Sequence, residues 1–297
     1  MSGTKERFVV EVIVNKAWEV EPFLDAMLKF DTFSKPYVLL SPRDKTNYMA
    51  SCRAEFHWQR EDGMLIDVIV RCIQDIMSNP NKGKSNSQEK ERLLPDYIRA
   101  DKPDLIISVS TAESTPYMEE GGKSCNGSVL IGETFFMYDA RSFDPSTESY
   151  LDVTKALQTG SVLDSVSTGF DGIQEYIDYF MVPPHSPADP MQIMVKTDGV
   201  SIGVVNVENY KCYKEADAAA YTCFVKEYRK DNVPMCIETT HGIVKLAAGD
   251  IPTFFVSPIV DRYEKFDIDV DDEQNYIAAY NSGVTVAAFL AKLYDNK

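Results

Sequence analysis

The sequence predicts an α/β protein folded as a single domain. Apolar segments of strand length alternate along the chain with longer segments of helical periodicity, the pattern of a sheet covered by helices. The chain has 297 residues, of which 44% are hydrophobic and 26% charged, enough for one substantial core. A polar stretch at about 78–91 interrupts the alternation without ending it. We therefore interpret it as a surface loop within one domain that spans 1–297.

The first half of the chain contains several predicted strands and one amphipathic helix. The helix is indicated by apolar residues at mixed three- and four-residue spacing. These residues are Trp18, Phe23, Leu24, Met27 and Leu28. The strand segments are rich in Val, Ile, Leu and Phe. They lie at 8–14, at 64–77 (strand into helix), at 102–114 (strand into a small-residue turn) and at 127–139 (one long strand or a hairpin).

The second half alternates in the same way and ends in a long helix. Residues 191–207 predict two strands around the turn TDG, and residues 252–261 predict a buried strand. A helix at 215–230 is alanine-rich, acidic at its start and basic at its end, as the helix dipole favours. Helices are also predicted at 171–181 and at 272–293.

The charge balance excludes some classes of partner. Lys and Arg number 30 against 46 Asp and Glu, which gives a formal net charge of -16. A nucleic-acid binder needs a basic face that displaces counterions from phosphates, so this class is disfavoured. An acidic surface also disfavours binding to anionic membranes. A small neutral or cationic ligand is compatible with the charge.

Targeting and metal signals are weak. The N-terminal residues lack the pattern of a signal peptide, and no apolar run is long enough for a transmembrane helix. Six cysteines are scattered without a CxxC pair, which favours free thiols in a reducing cytoplasm. Three histidines lie far apart, so a His-rich metal site is not expected. The acidic run DIDVDDEQ lacks the central Gly of a calcium loop.

The strand PTFFVSPIVD ends in a carboxylate, Asp261, and ligands of α/β folds gather at the carboxyl ends of strands. On its own, an Asp at a strand end is more often a turn residue or the ion-pair partner of a neighbouring basic residue such as Arg262. A functional interpretation of Asp261 therefore depends on the other segments of the chain.

Five segments in a fixed order carry a resemblance to a known superfamily. They are the apolar strand with its acidic first helix, KPDLIISVSTAES, GSVLIGETFFMYD, EADAAA and PTFFVSPIVDRY. In this order they resemble the nucleoside phosphorylase and nucleosidase superfamily, which includes the methylthioadenosine/S-adenosylhomocysteine nucleosidases. The resemblance covers most of the chain outside 78–91 and 145–190, and it implies a central mixed sheet flanked by helices. It also implies a homo-oligomer, a nucleoside or nucleotide ligand, and chemistry without a metal or organic cofactor.

The resemblance implies an acid for each step of N-glycosidic cleavage. Breaking this bond forms an oxocarbenium-like sugar and a base that leaves with negative charge. Asp261 matches the position that protonates the base, and Asp217 matches the carboxylate that binds the ribose hydroxyls. Glu21 on the first helix matches the acid that activates water, with Glu19 as the alternative in another register. The plain structural alternatives are a helix-start acid for Asp217 and a solvated helical acid for Glu21.

Other positions match the pocket around the sugar and the base. They are Thr111, Ala112, Glu113, Ala216, Val200 and Ser201. Three of them depart from the superfamily pattern: Glu113 replaces a glycine, Ala216 replaces a methionine, and Val200 stands where an aromatic residue is common. With less stacking surface at Val200, the base need not be adenine.

The nucleophile separates the expected function from its first alternative. Hexameric phosphorylases carry an Arg just before the turn at 111–112 to hold phosphate, and residues 108–110 contain none. The sequence therefore favours hydrolysis of a purine nucleoside or related N-riboside. A phosphate-dependent phosphorylase is the first alternative. A member that binds a nucleoside or nucleotide without turnover is the second, favoured by the departures at Ala216 and Glu113 and by Asp217, which stands where the superfamily has the longer Glu.

Overall fold

The computed structural model describes residues 7–30, 37–39, 52–60, 63–78, 86–118, 125–140, 150–152, 180–182, 195–207, 213–228, 233–262 and 272–295. The helices in this part are α1 (Ala17–Met27), α2 (Ser87–Asp101), α3 (Tyr213–Tyr228), α4 (His241–Ala248) and α5 (Asp272–Asp295). The strands are β1 (Arg7–Val14), β2 (Tyr37–Leu39), β3 (Cys52–Gln59), β4 (Leu65–Cys72), β5 (Leu105–Val109), β6 (Ala112–Ser114), β7 (Val129–Gly132), β8 (Thr134–Asp139), β9 (Tyr150–Asp152), β10 (Val195–Lys196), β11 (Val200–Val205), β12 (Met235–Glu238) and β13 (Thr253–Arg262).

The described strands form one mixed sheet. Their order is β2-β3-β4-β1-β5-β13-β6-β12-β11-β8-β9, with β7 paired to β13 and β10 paired to β7. β1 is parallel to β4 and β5, whereas β12 is antiparallel to β6. Central parallel strands such as β5 are buried along their whole length because helices cover both of their faces. The predicted α/β class with a mixed sheet is confirmed.

The long strand β13 joins the two halves of the sheet. Its first half pairs in parallel with β5 and antiparallel with β7, and its second half pairs in parallel with β6. Phe254 and Phe255 are fully buried, which accounts for the apolar run in the sequence. Pro258 lies where β13 changes partner, and the register then shifts between Ile259 and Asp261. This irregularity sets the direction in which the end of β13 presents its acid.

Three buried clusters show how the helices cover the sheet. α1 and α5 pack on one face of β1, β5 and β13, while α2 and α4 pack on the opposite face. Successive side chains of β12 alternate between the cluster that contains α4 and the cluster that contains α3. α3 therefore packs on β8, β11 and β12 from the side of the sheet opposite α4. The start of α5 reaches the end of β13, where the Gln274 side-chain amide donates to the Val260 carbonyl oxygen at 3.0 Å.

Most predicted elements are present, and two differ from the prediction. The segment 127–139 is neither one strand nor a hairpin, because β7 pairs with β13 whereas β8 pairs with β11. The expected loop at 78–91 contains the start of α2 from Ser87 onward. The Glu89 carboxylate accepts hydrogen bonds from the backbone and hydroxyl of Ser78, at 2.9 and 2.6 Å, so the two ends of this segment are linked. Residues 79–85 and most of the predicted helix at 171–181 lie outside the described residues.

The sequence analysis did not identify β3, β12 or α4. β12 is only four residues long, and α4 follows it after two residues, so neither shows a full period of its pattern. Within the described part of the chain, no helix has the length and apolar character that crossing a membrane requires.

Helices α1 and α5 approach closely at Gly283. A Cβ atom there would lie against the Phe23 carbonyl oxygen and 2.8 Å from the Ala26 Cβ atom. Gly283→Ala is therefore expected to lower the free energy of unfolding by about 1–3 kcal/mol, despite its better helix propensity, because the two backbones must separate. Urea denaturation measures the change. Asn275→Ala, near the surface on the same helix, is the control, and an unchanged stability for Gly283→Ala would contradict the close packing.

Candidate active site

Three carboxylates from different elements meet at the end of β13. Asp261 lies opposite Glu113 in the parallel pairing of β13 with β6. Asp217, in the first turns of α3, is close enough that its charge and that of Asp261 both raise the pKa of Glu113. The structure therefore brings together Asp217, Asp261 and Glu113, which the sequence had placed in one site. We call these three residues the acid cluster.

Burial controls the protonation of the acid cluster. Burial, followed by the charges of Asp217 and Asp261, raises the pKa of Glu113 to about 9, and Lys214 opposes this shift. Burial raises the pKa of Asp217 to about 7. Neither Glu113 nor Asp217 forms a side-chain hydrogen bond or ion pair with another described residue, and the Glu113 Oε2 atom is buried. At neutral pH Glu113 therefore keeps its proton, and Asp217 is partly protonated.

A fourth acid, Glu19, lies beside the turn between β5 and β6. Its Oε1 atom accepts hydrogen bonds from the Thr111 backbone N–H at 3.0 Å and from the Thr111 hydroxyl at 2.7 Å. Its Oε2 atom accepts from the Lys16 backbone N–H at 2.8 Å, which caps the start of α1. Burial raises the pKa of Glu19, although these hydrogen bonds oppose the shift. Thr111 is two residues before Glu113 in an extended segment, so Glu19 lies on the face of the sheet that carries the acid cluster.

Glu21, the first choice for the water-activating acid, lies elsewhere. Its side chain is exposed on α1, and its charge acts on Tyr276, whose hydroxyl donates to Asp25 at 2.8 Å. Glu19, the alternative in the other register, is 1% exposed and bonded to Thr111. The position next to the β5–β6 turn is thus occupied by Glu19, and the proposed role moves to that residue.

Four predicted pocket residues are enclosed by the core. Ala216 and Val200 pack in the cluster between α3 and the sheet, and Ala112 packs on the opposite face with α4. Ser201 is also buried and donates to the Glu238 Oε1 atom at 2.9 Å. The structure does not bring these side chains to the acid cluster, because strand alternation or helix packing directs them into the interior.

Comparisons with known proteins match the fold. No protein-family model matches the sequence, and no curated protein matches it. Among solved structures, the 5′-methylthioadenosine/S-adenosylhomocysteine nucleosidase of Campylobacter jejuni is 13% identical, with a TM-score of 0.53 over 98% of this chain and 100% of that one. The 5′-methylthioadenosine nucleosidase of Arabidopsis thaliana is 13% identical, with a TM-score of 0.53 over 96% of both chains. The nucleosidase of Neisseria meningitidis is 14% identical, with a TM-score of 0.50 over 95% of this chain and 98% of that one.

The chain has the nucleosidase fold. Since the likeness extends over nearly the whole of each chain, it concerns the complete fold and not a shared fragment. The sequence identities are too low to infer the substrate from these proteins, so the chemistry is argued from this chain's own residues.

A second polar group lies on the opposite face of the sheet, at the end of β12. The Glu238 Oε2 atom accepts from the backbone N–H groups of Thr240 and His241 and so caps α4. The His241 ring shares hydrogen bonds of 2.7 Å with the Ser108 and Ser257 hydroxyls, one at each nitrogen. Because burial lowers the pKa of His241, this ring is neutral near pH 7. The sequence analysis missed this group because it missed β12 and α4.

Lys90 connects α2 to this group. Its side chain is 1% exposed, and its ammonium group donates to the Thr240 hydroxyl at 2.8 Å. Burial lowers the pKa of Lys90 to about 7, while the charges of Glu238 and Glu19 oppose that shift. No group of three or more potential metal ligands occurs in the part of the chain that the structure describes.

The pKa of Glu113 predicts how stability depends on pH. An acid whose pKa is raised on folding, from 4.5 to about 9, contributes stability that is present below pH 4.5 and is lost as pH rises toward 9. Glu113→Gln removes this contribution, so its free energy of unfolding should fall less across that window. Urea denaturation at several pH values measures the two slopes. Glu215→Gln, an exposed acid on α3, should keep the wild-type slope, and an unchanged slope for Glu113→Gln would contradict the burial of a protonated carboxyl.

Proposed function

We propose that the protein hydrolyses the N-glycosidic bond of a purine nucleoside or related N-riboside. The observation that carries this proposal is the meeting of Asp217 and Asp261 on the face where Glu19 binds Thr111, within a nucleosidase fold. The Neisseria meningitidis nucleosidase binds methylthio-immucillin-A, which supports a small-molecule ligand of this class.

The acid cluster provides the proton for the leaving base. Asp261 at the end of β13 donates to a ring nitrogen of the base, so that the base leaves without negative charge. Glu113 lies opposite Asp261 and keeps its proton at neutral pH, which supports a cluster that holds a transferable proton. Asp217 binds the ribose hydroxyls. Its carboxylate needs such donors, because no other described residue provides a hydrogen bond to it.

Glu19 activates the attacking water. Its carboxylate is 1% exposed, and burial raises its pKa, so it can accept a proton from water held beside Thr111. Thr111 fixes the direction of this carboxylate through two hydrogen bonds. The water loses a proton to Glu19 as its oxygen bonds to the sugar carbon, and the bond from that carbon to the base breaks.

We further propose a homo-oligomer in the cytoplasm, as the resemblance and the scattered cysteines imply. The reaction uses acids, water and a nucleoside or nucleotide, and no step needs a metal or an organic cofactor. Neither nucleic acid nor a membrane is expected as a partner, given the net charge of -16.

A base-release assay tests the proposal. Purified protein is incubated with a panel of purine nucleosides and nucleotides, with and without phosphate, and free base and sugar products are separated by chromatography. Free base and ribose are expected in both buffers. Formation of ribose 1-phosphate when phosphate is present would instead show that the protein is a phosphorylase. Binding without base release across the panel would favour the non-catalytic alternative.

A further inference from the structure

Lys90 is a buried lysine near the carboxyl ends of β5 and β12. It extends from α2, its side chain is 1% exposed, and its ammonium group donates to the Thr240 hydroxyl at 2.8 Å. Among the described residues this hydroxyl is its one hydrogen-bond acceptor, and no carboxylate forms an ion pair with it. A buried ammonium group normally has a carboxylate or several acceptors in contact with it, because leaving water costs the charged form its solvation. Packing alone therefore does not account for a lysine at this position.

Short contacts place this ammonium group near the turn that binds Glu19. Thr240 is followed by His241, whose ring shares a hydrogen bond of 2.7 Å with the Ser108 hydroxyl near the end of β5. Thr111 lies three residues further along, and its hydroxyl donates to the Glu19 Oε1 atom at 2.7 Å. The ammonium group approaches the end of β5 from α2, and the Glu19 carboxylate approaches it from α1. The two groups are close enough that the charge of Glu19 favours the ammonium form.

The other charged groups around Lys90 have different roles. The Glu238 carboxylate also favours the ammonium form, but its two oxygens accept hydrogen bonds from Ser201 and from the start of α4. The His241 ring is neutral near pH 7, because burial lowers its pKa. Burial, followed by the charge of Lys16, lowers the pKa of Lys90 to about 7. Lys90 therefore gains or loses its charge near neutral pH.

We propose that Lys90 is a positioning residue whose positive charge holds Glu19 in the ionised form that accepts a proton from water. This inference rests on the proposed function and adds a residue to it. A carboxyl group that keeps its own proton cannot accept one from water, and burial raises the pKa of Glu19. Hydrogen bonds from Thr111 and Lys16 oppose this shift, and a nearby positive charge opposes it further. The protonated Lys90 side chain supplies that charge from the α2 side of the strand end.

The contribution of Lys90 depends on pH. Below its pKa of about 7 the ammonium group is charged, so it lowers the pKa of Glu19 and raises the fraction of Glu19 that is ionised. Above this pKa the group is neutral, and the advantage disappears. Lys90→Met keeps an unbranched side chain and removes the charge. It should lower base release about tenfold or more at about pH 6 and much less at about pH 8.5.

Kinetics across this pH range, with the best substrate of the panel, measure the ratio of wild-type to variant kcat/KM. Lys245→Met is the matched control, because Lys245 is 2% exposed but its ammonium group donates to the Gly249 carbonyl oxygen at the far end of α4. Both variants remove a buried lysine, so both are expected to lose stability. Only Lys90→Met should give a ratio that falls as pH rises through 7. Titration of the acid cluster is common to all three proteins and cancels in the ratio.

A second measurement covers a Lys90→Met protein that does not fold. Lysine side chains labelled with ¹³C at the ε carbon report their own titration by NMR. The wild type is expected to show a lysine signal that titrates near pH 7, and Lys245→Met should retain this signal. In Glu19→Gln the pKa of this signal should fall, because the carboxylate that favours the ammonium form is gone.

Two outcomes overturn the inference and are distinguishable. If base is released but the ratio for Lys90→Met is the same at every pH, or the lysine titration is the same with and without Glu19, the role of Lys90 fails while the proposed function stands. If the wild type releases no base across the panel at any pH, the proposed function fails, and the inference fails with it.

Discussion

Asp261→Asn is expected to lower the rate of base release by about 10²–10⁴-fold, the usual contribution of a positioned general acid. The amide keeps the shape of the side chain and can still accept the backbone N–H of Arg262, but it cannot donate a carboxyl proton to the base. The loss should be largest for nucleosides whose bases leave with the most negative charge. Steady-state kinetics with the best substrate of the panel, followed by base chromatography, measures it.

Asp250→Asn is the matched control for this variant. Asp250 is exposed beyond the end of α4, so its substitution should leave both kcat and stability unchanged. A folded Asp261→Asn protein with wild-type base release would contradict the assignment of the proton donor to β13. The acid would then have to be sought at Glu113, which lies opposite Asp261 in the sheet.

Glu19→Gln is expected to reduce base release by about 10²-fold or more and also to destabilise the fold by about 1–3 kcal/mol. The carboxylate accepts from both donors of Thr111 and from the Lys16 backbone N–H. A Gln side chain has only one acceptor oxygen, so its NH₂ group must face a donor, and it cannot take a proton from water. Kinetics and urea denaturation of the same protein sample separate the two effects.

Glu21→Gln is the control that distinguishes the two registers of the first helix. Glu21 is exposed, and its substitution should change neither kcat nor the free energy of unfolding by a measurable amount. If Glu21→Gln abolishes base release while a folded Glu19→Gln retains it, the water-activating role belongs to Glu21. Glu19 would then serve only to cap α1 and hold the β5–β6 turn.

The comparison of these two acids shows what sequence alone can and cannot resolve. An acid early in the first helix is visible in the sequence, but Glu19 and Glu21 are two residues apart and point in different directions on the helix. The choice between them depends on where α1 starts relative to Thr111. That start is set by the Glu19 cap and by packing on α5, which are tertiary contacts.

The grouping of Asp217 with Asp261 was predictable for a different reason. The resemblance implied it, because EADAAA and PTFFVSPIVDRY match the superfamily segments that carry the two acids; in addition, Asp261 follows a strong apolar run at the carboxyl end of a strand, where ligands of α/β folds gather. The direction of the Ser201 side chain could not be predicted from the sequence. Its neighbours on both sides are apolar because β11 is covered on both faces, and the sequence gives no sign that Ser201 faces Glu238.

A crystal structure with an uncleavable C-nucleoside, in which a carbon–carbon bond replaces the glycosidic bond, tests most directly whether the acid cluster is the N-riboside site. The ribose hydroxyls are predicted to lie within hydrogen-bond distance of Asp217, the base beside Asp261, and the anomeric carbon toward Glu19 and Thr111. A ligand bound away from the acid cluster, or one that contacts neither Asp217 nor Asp261, would contradict the account.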